Sequence, residues 1–320
     1  MDRQVKFTSE ILLKDVISAD PSLLMVMARF GIPLGFGDRS VGEVCAENGI
    51  ELATFLTTIN FMSGRSWNAD DVEAGQLMTY LMNAHEYFLD FVLPMIRRKL
   101  IGAIDCSSTD ELGFLILRFY DEYVTEVKKH MQMENAKVFP YVEKLLKGEF
   151  SDGFRIEKFA SHHSHIDPKL KELKDIIIRY YPGKGNDLLN SVLFDIITCE
   201  HDLRLHCMAE DRLFVPAVKK LEAKAAEKCG GVAVEVKSSD QTYGASVKAS
   251  DLSEREREIV WCVAKGMSNK EIASHLCLSV HTVTTHRRNI SAKLQIHSTA
   301  GITIFAIVNG LLTPDEIGVK

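Results

Sequence analysis

The sequence predicts an all-α protein, and three observations support this prediction. Apolar residues recur at helical spacing along four long stretches, at about residues 70–100, 109–147, 155–180 and 186–226. Helix-start signals are frequent, among them the capping box Ser40-x-x-Glu43. No stretch shows the alternation of apolar and polar residues that is typical of a half-buried strand. Four long helices in succession favour an antiparallel up-down bundle.

The composition is that of a globular protein. Of the 320 residues, 46% are hydrophobic and 26% are charged, which excludes a disordered chain, collagen and a coiled-coil rod. No run reaches the roughly 18 apolar residues that a membrane span needs. The N-terminus MDRQVKFTSE has no apolar signal core, so we expect no membrane association and a cytoplasmic location. The seven cysteines form no Cys-x-x-Cys pair, which favours reduced thiols.

One segment divides the chain. Residues 227–250, with the sequence EKCGGVAVEVKSSDQTYGASVKAS, are rich in Gly, Ser and Ala and have no amphipathic period, which is typical of a linker. We therefore predict a small helical domain at 1–68, a four-helix bundle at 69–226, this linker, and a C-terminal domain at 251–320.

Two segments of the bundle share one spacing of histidine, glutamate and proline. His130 precedes Glu134 by four residues, and His206 precedes Glu210 by the same interval. Residues four apart on a helix lie on one face, so imidazole and carboxylate can reach one metal site. A proline follows each histidine by ten residues, and we expect it to end each helix at a matching height.

Further histidines complete a candidate metal centre. His85 lies on an apolar stripe that points into the bundle, formed with Met78, Leu81, Leu89 and Val92. The remaining long stretch offers His162, His163 and His165, of which one needs to face inward. A lone histidine on an apolar stripe is more often a core or surface residue than a ligand. Two matched His-x-x-x-Glu units with histidines on the other two helices nevertheless favour a metal site.

The donor types restrict the metal. Four imidazoles and two carboxylates without a thiolate disfavour structural zinc, and bridging carboxylates favour iron, with manganese as the alternative. If both carboxylates bridge, each ion has two histidines and two oxygens. An added oxo or hydroxo bridge then leaves one position open for dioxygen, nitric oxide or peroxide.

Residues 1–226 resemble the hemerythrin-like HHE proteins of the iron-centre repair type (RIC or ScdA-like), a di-iron four-helix bundle behind a small helical domain. The resemblance implies the ligands His85, His130, Glu134, His163, His206 and Glu210. His163 matches best because Leu170 and Leu173 follow it at the family's spacing, while His162 and His165 stay open as alternatives. His201 is excluded because it lies about 140° around the helix from His206.

The chain departs from that family at two places. Pro168 follows the third-helix histidines and must kink or restart the helix. The family's Cys-Cys-Gly-Gly motif is replaced by Leu34-Gly35-Phe36-Gly37-Asp38, so the thiol chemistry or iron transfer of that cysteine pair is not expected. We expect the N-terminal domain to pack, dimerise or sense instead.

The C-terminal domain carries three helix starts in quick succession. Ser253-x-x-Glu256 and Ser268-x-x-Glu271 are capping boxes, and Ser279 begins a third helix after a short turn, which predicts a helix-turn-helix. The third helix, VHTVTTHRRNISAKL, contains no acidic residue, and such a surface suits phosphates and the major groove. A final apolar helix follows and could pair with a second copy.

Residues 251–313 closely resemble the LuxR/GerE-type DNA-binding domain, through the segments LSEREREIV, GMSNKEIASHL, SVHTVTTHRRNISAKL and NGLL. The resemblance implies base contacts from Thr284, Thr285 and Arg288. It implies phosphate contacts or supporting roles for Asn269, Lys270, Thr282, Arg287 and Lys293. Val283, Ile290 and Leu294 are expected in the core, and His286 in helix packing.

These observations together predict a transcription regulator rather than an enzyme. A di-iron bundle would sense oxygen, nitric oxide or redox state, and the C-terminal domain would bind double-stranded DNA as a homodimer. The first alternative is an iron-centre repair or nitric oxide- or peroxide-handling protein with an accessory DNA-binding domain. The second alternative is a metal-free bundle that serves a transcription factor as a dimerisation module.

Overall fold

The computed structural model describes residues 5–104, 111–149, 154–157, 167–181, 187–229, 252–294 and 296–312. Within these ranges the chain is helical, and the one β-type contact is an isolated bridge between Leu12 and Ser40. The predicted all-α fold is confirmed. No helix among the described residues combines the length and the apolar character that crossing a membrane requires.

The helices are numbered here in chain order within the described ranges. The first eight are α1 (Leu13–Ala19), α2 (Leu23–Arg29), α3 (Val41–Glu47), α4 (Leu52–Met62), α5 (Ala74–Glu86), α6 (Leu93–Ala103), α7 (Glu111–Met133) and α8 (Phe139–Leu146). They are followed by α9 (Asp167–Tyr180), α10 (Asp187–Ala209), α11 (Val215–Cys229), α12 (Glu254–Ala264), α13 (Asn269–His275), α14 (Val280–Leu294) and α15 (Thr299–Val308). In the described part of the chain, three π-helical segments lie between these helices, at Tyr87–Val92, Glu134–Val138 and Glu210–Phe214.

The described chain divides into two compact units. Unit 1 comprises residues 1–93, 128–164 and 201–236, and unit 2 comprises residues 94–127, 165–200 and 237–320. In unit 1 the buried side chains of the N-terminal helices and of the bundle segments form one continuous core, which extends from Phe7 to Ala225. In unit 2 the C-terminal helices have a core of their own, from Leu252 to Leu312. The boundary at residue 68 stays a prediction.

The helix starts follow the capping signals of the sequence. Ser40 and Glu43 form a complete capping box, in which the serine side chain accepts from the Glu43 amide and the glutamate accepts from the Ser40 amide. The boxes that begin at Ser253 and Ser268 are formed in the same way. α9 begins at Asp167, so Pro168 lies in the first turn, where a proline is tolerated. Residues 158–166 lie outside the described residues, so a kink or a restart at Pro168 stays a prediction.

The prolines of the two His-x-x-x-Glu units do not end their helices, so that prediction is wrong. The helical path continues through Pro140 to Leu146 and through Pro216 to Cys229. A proline ring collides with the carbonyl four residues earlier, and at both prolines that residue lies inside a π-helical segment, whose wider turn relieves the collision. Pro94 follows the segment Tyr87–Val92 in the same relation.

A buried ion pair connects the N-terminal helices to the bundle inside unit 1. The guanidinium of Arg29, at the end of α2, donates to both carboxylate oxygens of Asp202 at 2.8 and 2.6 Å. The Arg29 side chain is only 3% exposed, and its guanidinium carbon lies 5.0 Å from the ring centre of Phe88. Of the roles considered for the N-terminal domain, packing is the one that these contacts support.

We expect Arg29→Ala to lower the free energy of unfolding by about 3 kcal/mol, because removing one partner leaves the other charge without compensation. Chemical denaturation measures the change. The control is Arg118→Ala, since the exposed pair of Arg118 with Glu122 contributes about 0.5 kcal/mol or less. Equal losses in the two variants would contradict a structural role for the Arg29 pair.

Candidate metal centre and nucleic-acid interface

Five of the six predicted metal ligands converge in unit 1. His85 lies at the end of α5, His130 and His206 lie in the last turns of α7 and α10, and Glu134 and Glu210 begin the π-helical segments that follow. The side chains of His85, Glu134, His206 and Glu210 are 1–2% exposed, and that of His130 is 13% exposed. So many buried polar groups are stable only if they are hydrogen-bonded, paired with opposite charges or bound to a metal.

The distances divide the five donors into two overlapping sets. His85, His206 and Glu210 form one set, and His130, Glu134 and Glu210 form the other, so the Glu210 carboxylate belongs to both. In the first set, His206 Nε2 lies 3.0 Å from Glu210 Oε1 and 3.2 Å from His85 Nε2. Two sets that share one carboxylate are the arrangement that a pair of bridged ions requires.

The Glu134 carboxylate also lies between the two sets. Its Oε1 is 3.0 Å from His130 Nε2, and its Oε2 is 3.3 Å from His85 Nε2. Each glutamate therefore contacts its own i−4 histidine, as the spacing predicts, and also has the His85 imidazole within 3.8 Å. The carboxylates thus occupy the centre of the cluster, and the imidazoles surround them.

The pKa values of Glu210 and His85 indicate that the cluster favours a positive charge at its centre. Burial and the charge of Glu134 act to raise the pKa of Glu210, but the imidazoles of His206 and His85 outweigh them and hold it at about 2. Burial acts to lower the pKa of His85, but its bonds to Glu134 and Glu210 raise it to about 9. A proton on His85 thus supplies positive charge between the two carboxylates. A metal cation that displaces this proton supplies the same charge, so the residues present fit a metal.

Asn135 orients the His85 imidazole. The Nδ1–H of His85 donates to Asn135 Oδ1 at 2.8 Å, which directs Nε2 towards the carboxylates. Outer partners of this kind fix the tautomer and the ring plane of a metal-ligating histidine. Asn135 is not among the residues that the sequence predicts, because no local spacing links it to His85.

We expect Asn135→Ala to weaken metal binding by about 10- to 100-fold, because the His85 ring loses the acceptor that orients it. Competition against a chelator of known affinity measures the change. Asn190→Ala is the matched control, since Asn190 is an exposed asparagine of α10. An affinity of the Asn135 variant within twofold of the control would contradict this role.

Aromatic side chains close the centre on one side. The ring centre of Phe139 lies 5.4 Å from that of His85, and the ring centre of Phe88 lies 5.6 Å from that of His206. Both phenylalanines are buried, and Phe214 packs against Phe139. An apolar wall of this kind limits the access of water and lowers the local dielectric constant.

Two other histidine predictions have different outcomes. His162, His163 and His165 lie outside the described residues, so the third-helix ligand stays a prediction. His201 is exposed and its Nδ1 lies 2.8 Å from an Arg204 guanidinium nitrogen, which agrees with its exclusion from the ligand set.

The C-terminal helices of unit 2 form the predicted helix-turn-helix. α13 and α14 are joined by a tight turn in which Cys277 has a φ of 53°. Ser279 caps α14 by accepting from the Thr282 amide at 3.0 Å. Val283, Ile290 and Leu294 are buried in the core, as predicted. These contacts leave the opposite face of α14 available to solvent.

The predicted DNA contacts separate into two groups by their surroundings. Lys270, Thr284, Thr285 and Arg288 are exposed. Asn269, Thr282, Arg287 and Lys293 are only half-buried. Of this second group, Arg287 donates to Asn269 Oδ1 at 2.6 Å and Lys293 donates to the buried Glu256 at 2.8 Å. The structure thus shows supporting contacts for these three residues, and the DNA contacts themselves stay predictions.

Known family models match both the region of the candidate metal centre and the C-terminal helix-turn-helix region. The hemerythrin HHE cation binding domain family matches residues 77–218, and the luxR family of bacterial regulatory proteins matches residues 250–306. The chain joins a hemerythrin HHE domain to a LuxR-type DNA-binding domain. The HHE match includes the five clustered donors, and the LuxR-type match includes the whole helix-turn-helix.

Curated regulatory proteins match about a fifth of the chain. The transcriptional regulatory protein MctR of Rhizobium johnstonii is 42% identical over 62 residues, 19% of this chain and 29% of the relative. The uncharacterized response regulatory protein YgeK of Escherichia coli is 45% identical over 64 residues, which are 20% and 44% of the two chains. The response regulator protein VraR of Staphylococcus aureus is 43% identical over 61 residues, which are 19% and 29%. The chain spans less than half the length of each. No solved structure matches the chain significantly.

Proposed function

We propose that this chain is a bacterial transcription regulator whose HHE domain holds a di-iron centre and senses oxygen, nitric oxide or redox state. The observation that carries the proposal is the cluster of three imidazoles and two carboxylates in a chain that also has a LuxR-type domain. A donor cluster in the same chain as a DNA-binding domain favours regulation by the state of that cluster.

The donor chemistry favours iron over other metals. The five described donors are imidazole nitrogens and carboxylate oxygens, and the shared Glu210 suits two ions rather than one. Manganese is the alternative for the same donors. A di-iron centre supplies one-electron redox changes and a binding position for a diatomic molecule.

The side chains of the HHE domain would convert a change at the centre into a change of packing. Glu134 and Glu210 each contact histidines from more than one helix, so a different charge between them changes the balance of attraction among α5, α7 and α10. Phe139 packs directly on the His85 imidazole, and Phe88 packs on that of His206. A movement of either imidazole would therefore displace a phenylalanine ring. A signal can change DNA binding only if it binds more tightly to one of these packing states than to the other.

The output would be binding of double-stranded DNA by a homodimer. The exposed face of α14 presents Thr284, Thr285 and Arg288, which would contact bases, and Lys270 is exposed at the start of α13 for a phosphate. Pairing of two domains on adjacent half-sites would raise the affinity of a domain whose net charge is low. We propose binding rather than catalysis as the role of the chain.

The proposal is tested by DNA affinity in three states of the iron-loaded full chain. A DNA site selected from a random pool is titrated with oxidised, reduced and nitric oxide-treated protein. We expect the dissociation constant to differ at least tenfold, about 1.4 kcal/mol, between two of these states. Equal affinities together with turnover of peroxide or nitric oxide would instead support a repair or detoxifying protein. A chain that binds no metal after anaerobic loading would support a metal-free dimerisation module.

A further inference from the structure

The two histidines of the first donor set are held in different ways. The His85 ring has a hydrogen bond from its Nδ1 to Asn135. The His206 side chain is 2% exposed, and among the described residues its buried Nδ1 has no hydrogen-bond partner. A metal-ligating histidine usually donates its second ring nitrogen to such a partner, which fixes the plane of the ring. The plane of the His206 ring is therefore set by the groups that pack on it.

Phe88 packs edge-on against the His206 ring. The two ring centres are 5.6 Å apart, and the ring planes are inclined by 71°. The Phe88 side chain is fully buried and lies in the π-helical segment that follows α5. Because a close-packed interior leaves little room for rotation, the position of Phe88 limits the positions that the His206 ring can take.

A charged side chain of the N-terminal helices holds Phe88. The guanidinium carbon of Arg29 lies 5.0 Å from the centre of the Phe88 ring, within the range of a cation–π contact. Such a contact is strongest where both partners are removed from water, and Arg29 and Phe88 are 3% and 0% exposed. The ring centre of Tyr87, the residue before Phe88, lies 5.3 Å from the same guanidinium carbon. Arg29 thus contacts two successive aromatic side chains.

Arg29 also contacts the helix that carries His206. Asp202, which accepts two hydrogen bonds from the guanidinium, precedes His206 by four residues on α10 and therefore lies on the same face. Burial acts to lower the pKa of Arg29, but Tyr80 and Asp202 outweigh it and hold the pKa above its usual value, so the guanidinium stays charged. One side chain is thus bound both to Phe88 and to the turn of α10 that precedes His206.

We propose that Arg29 is a positioning residue of the metal centre and fixes the plane of the His206 imidazole. It acts through Phe88, on which it stacks, and through Asp202, to which it is hydrogen-bonded. These contacts take the place of the outer hydrogen bond that the His206 ring lacks. The inference rests on the proposed function, in which His206 is a metal ligand. It gives the N-terminal domain a part in metal binding that needs no cysteine pair.

Arg29→Lys separates this role from the stability of the fold. A lysine keeps a positive charge beside Asp202, but its ammonium is a point charge and has no plane that can stack on a ring while it binds a carboxylate with two donors. The matched control is Arg65→Lys. Arg65, shortly after α4, is also buried at 6% exposed, and its guanidinium carbon lies 4.1 Å from the ring centre of Phe7. The two variants change the same kind of contact at two different rings.

The first readout needs no metal. Histidines of the full chain are labelled with a nitrogen isotope, and the imidazole signals of the metal-free protein are recorded by NMR. His206→Gln identifies the signals of that ring by their loss. We expect the His206 signals to shift or broaden in Arg29→Lys, because the ring gains positions that packing excludes in the wild type. They should stay unchanged in Arg65→Lys.

The second readout is the affinity for ferrous iron, measured anaerobically in competition with a chelator. We expect Arg29→Lys to weaken binding about tenfold and Arg65→Lys to keep the wild-type affinity. Phe88→Leu should cause a loss similar to that of Arg29→Lys. The double variant Arg29→Lys with Phe88→Leu should lose no more, because both changes remove the same contact.

Two results would overturn the inference. One is that Arg29→Lys behaves like Arg65→Lys in both readouts. The other is that the losses from Arg29→Lys and Phe88→Leu multiply in the double variant, which would mean that the arginine does not act through Phe88. Neither result bears on whether iron controls DNA binding, so the proposed function is judged separately. A chain that binds no iron would refute the sensor, and the NMR signals of His206 would still decide the positioning role.

Discussion

Glu210→Ala is expected to lower the iron content of the full chain from about two ions to fewer than one. Glu210 belongs to both donor sets, so its removal takes an oxygen ligand from each position at once. The substitution also takes a partner from the His206 and His85 imidazoles, so we expect some loss of stability and check the fold beside the iron content. Elemental analysis after anaerobic loading, with circular dichroism alongside, measures both effects.

The matched control is Glu86→Ala. Glu86 belongs to α5 and follows His85 directly, yet its side chain is exposed and is not part of either donor set. We expect this variant to bind as much iron as the wild type. Full iron content in the Glu210 variant would show that the shared carboxylate is not a ligand, and the two-ion arrangement would then be wrong.

Arg288→Ala is expected to weaken binding of the selected DNA site by about 1–3 kcal/mol, a loss of about 5- to 150-fold, and to relax base preference at one position. Arg288 is exposed on the helix that the LuxR-type resemblance places in the major groove, and a guanidinium contacts guanine with two hydrogen bonds. Lys270→Ala, by contrast, should weaken all sequences alike and lower the salt dependence by about one phosphate contact. Fluorescence anisotropy at several salt concentrations separates the two effects.

Arg257→Ala provides the comparison for Arg288. Arg257 is an exposed arginine of α12 in the same domain, and the resemblance assigns it no DNA contact. Its removal changes the net charge by the same amount, so it corrects for the general attraction between the domain and DNA. If the two arginine variants lose affinity equally, with unchanged base preference, Arg288 does not contact a base.

The sequence alone predicted the features that depend on local spacing. The pairs His130 with Glu134 and His206 with Glu210 are four residues apart, and helix geometry alone brings each pair together. The three capping boxes are local for the same reason, because each is complete within four residues. His85 was predicted from the apolar stripe on its own helix.

Features that depend on tertiary contacts were not predictable in this way. Asn135 meets His85 across 50 residues, and Glu172 meets Ser298 across 126 residues. The spacing of residues within one helix carries no information about contacts between residues so far apart in the sequence. The continuation of the helices through Pro140 and Pro216 was missed for another reason. A proline inside a helix usually ends or kinks it, but here a preceding π-helical turn accommodates the ring.

Control of DNA binding by the metal centre is tested by comparing DNA affinity with and without a signal in two chains. Wild type and Glu210→Ala, prepared under the same iron-loading conditions, are titrated with the selected DNA site before and after oxidation or nitric oxide treatment. We expect at least a tenfold change in the wild-type dissociation constant, about 1.4 kcal/mol, and no change in that of the variant. A variant that lacks iron yet keeps the full response would contradict control of DNA binding by this centre.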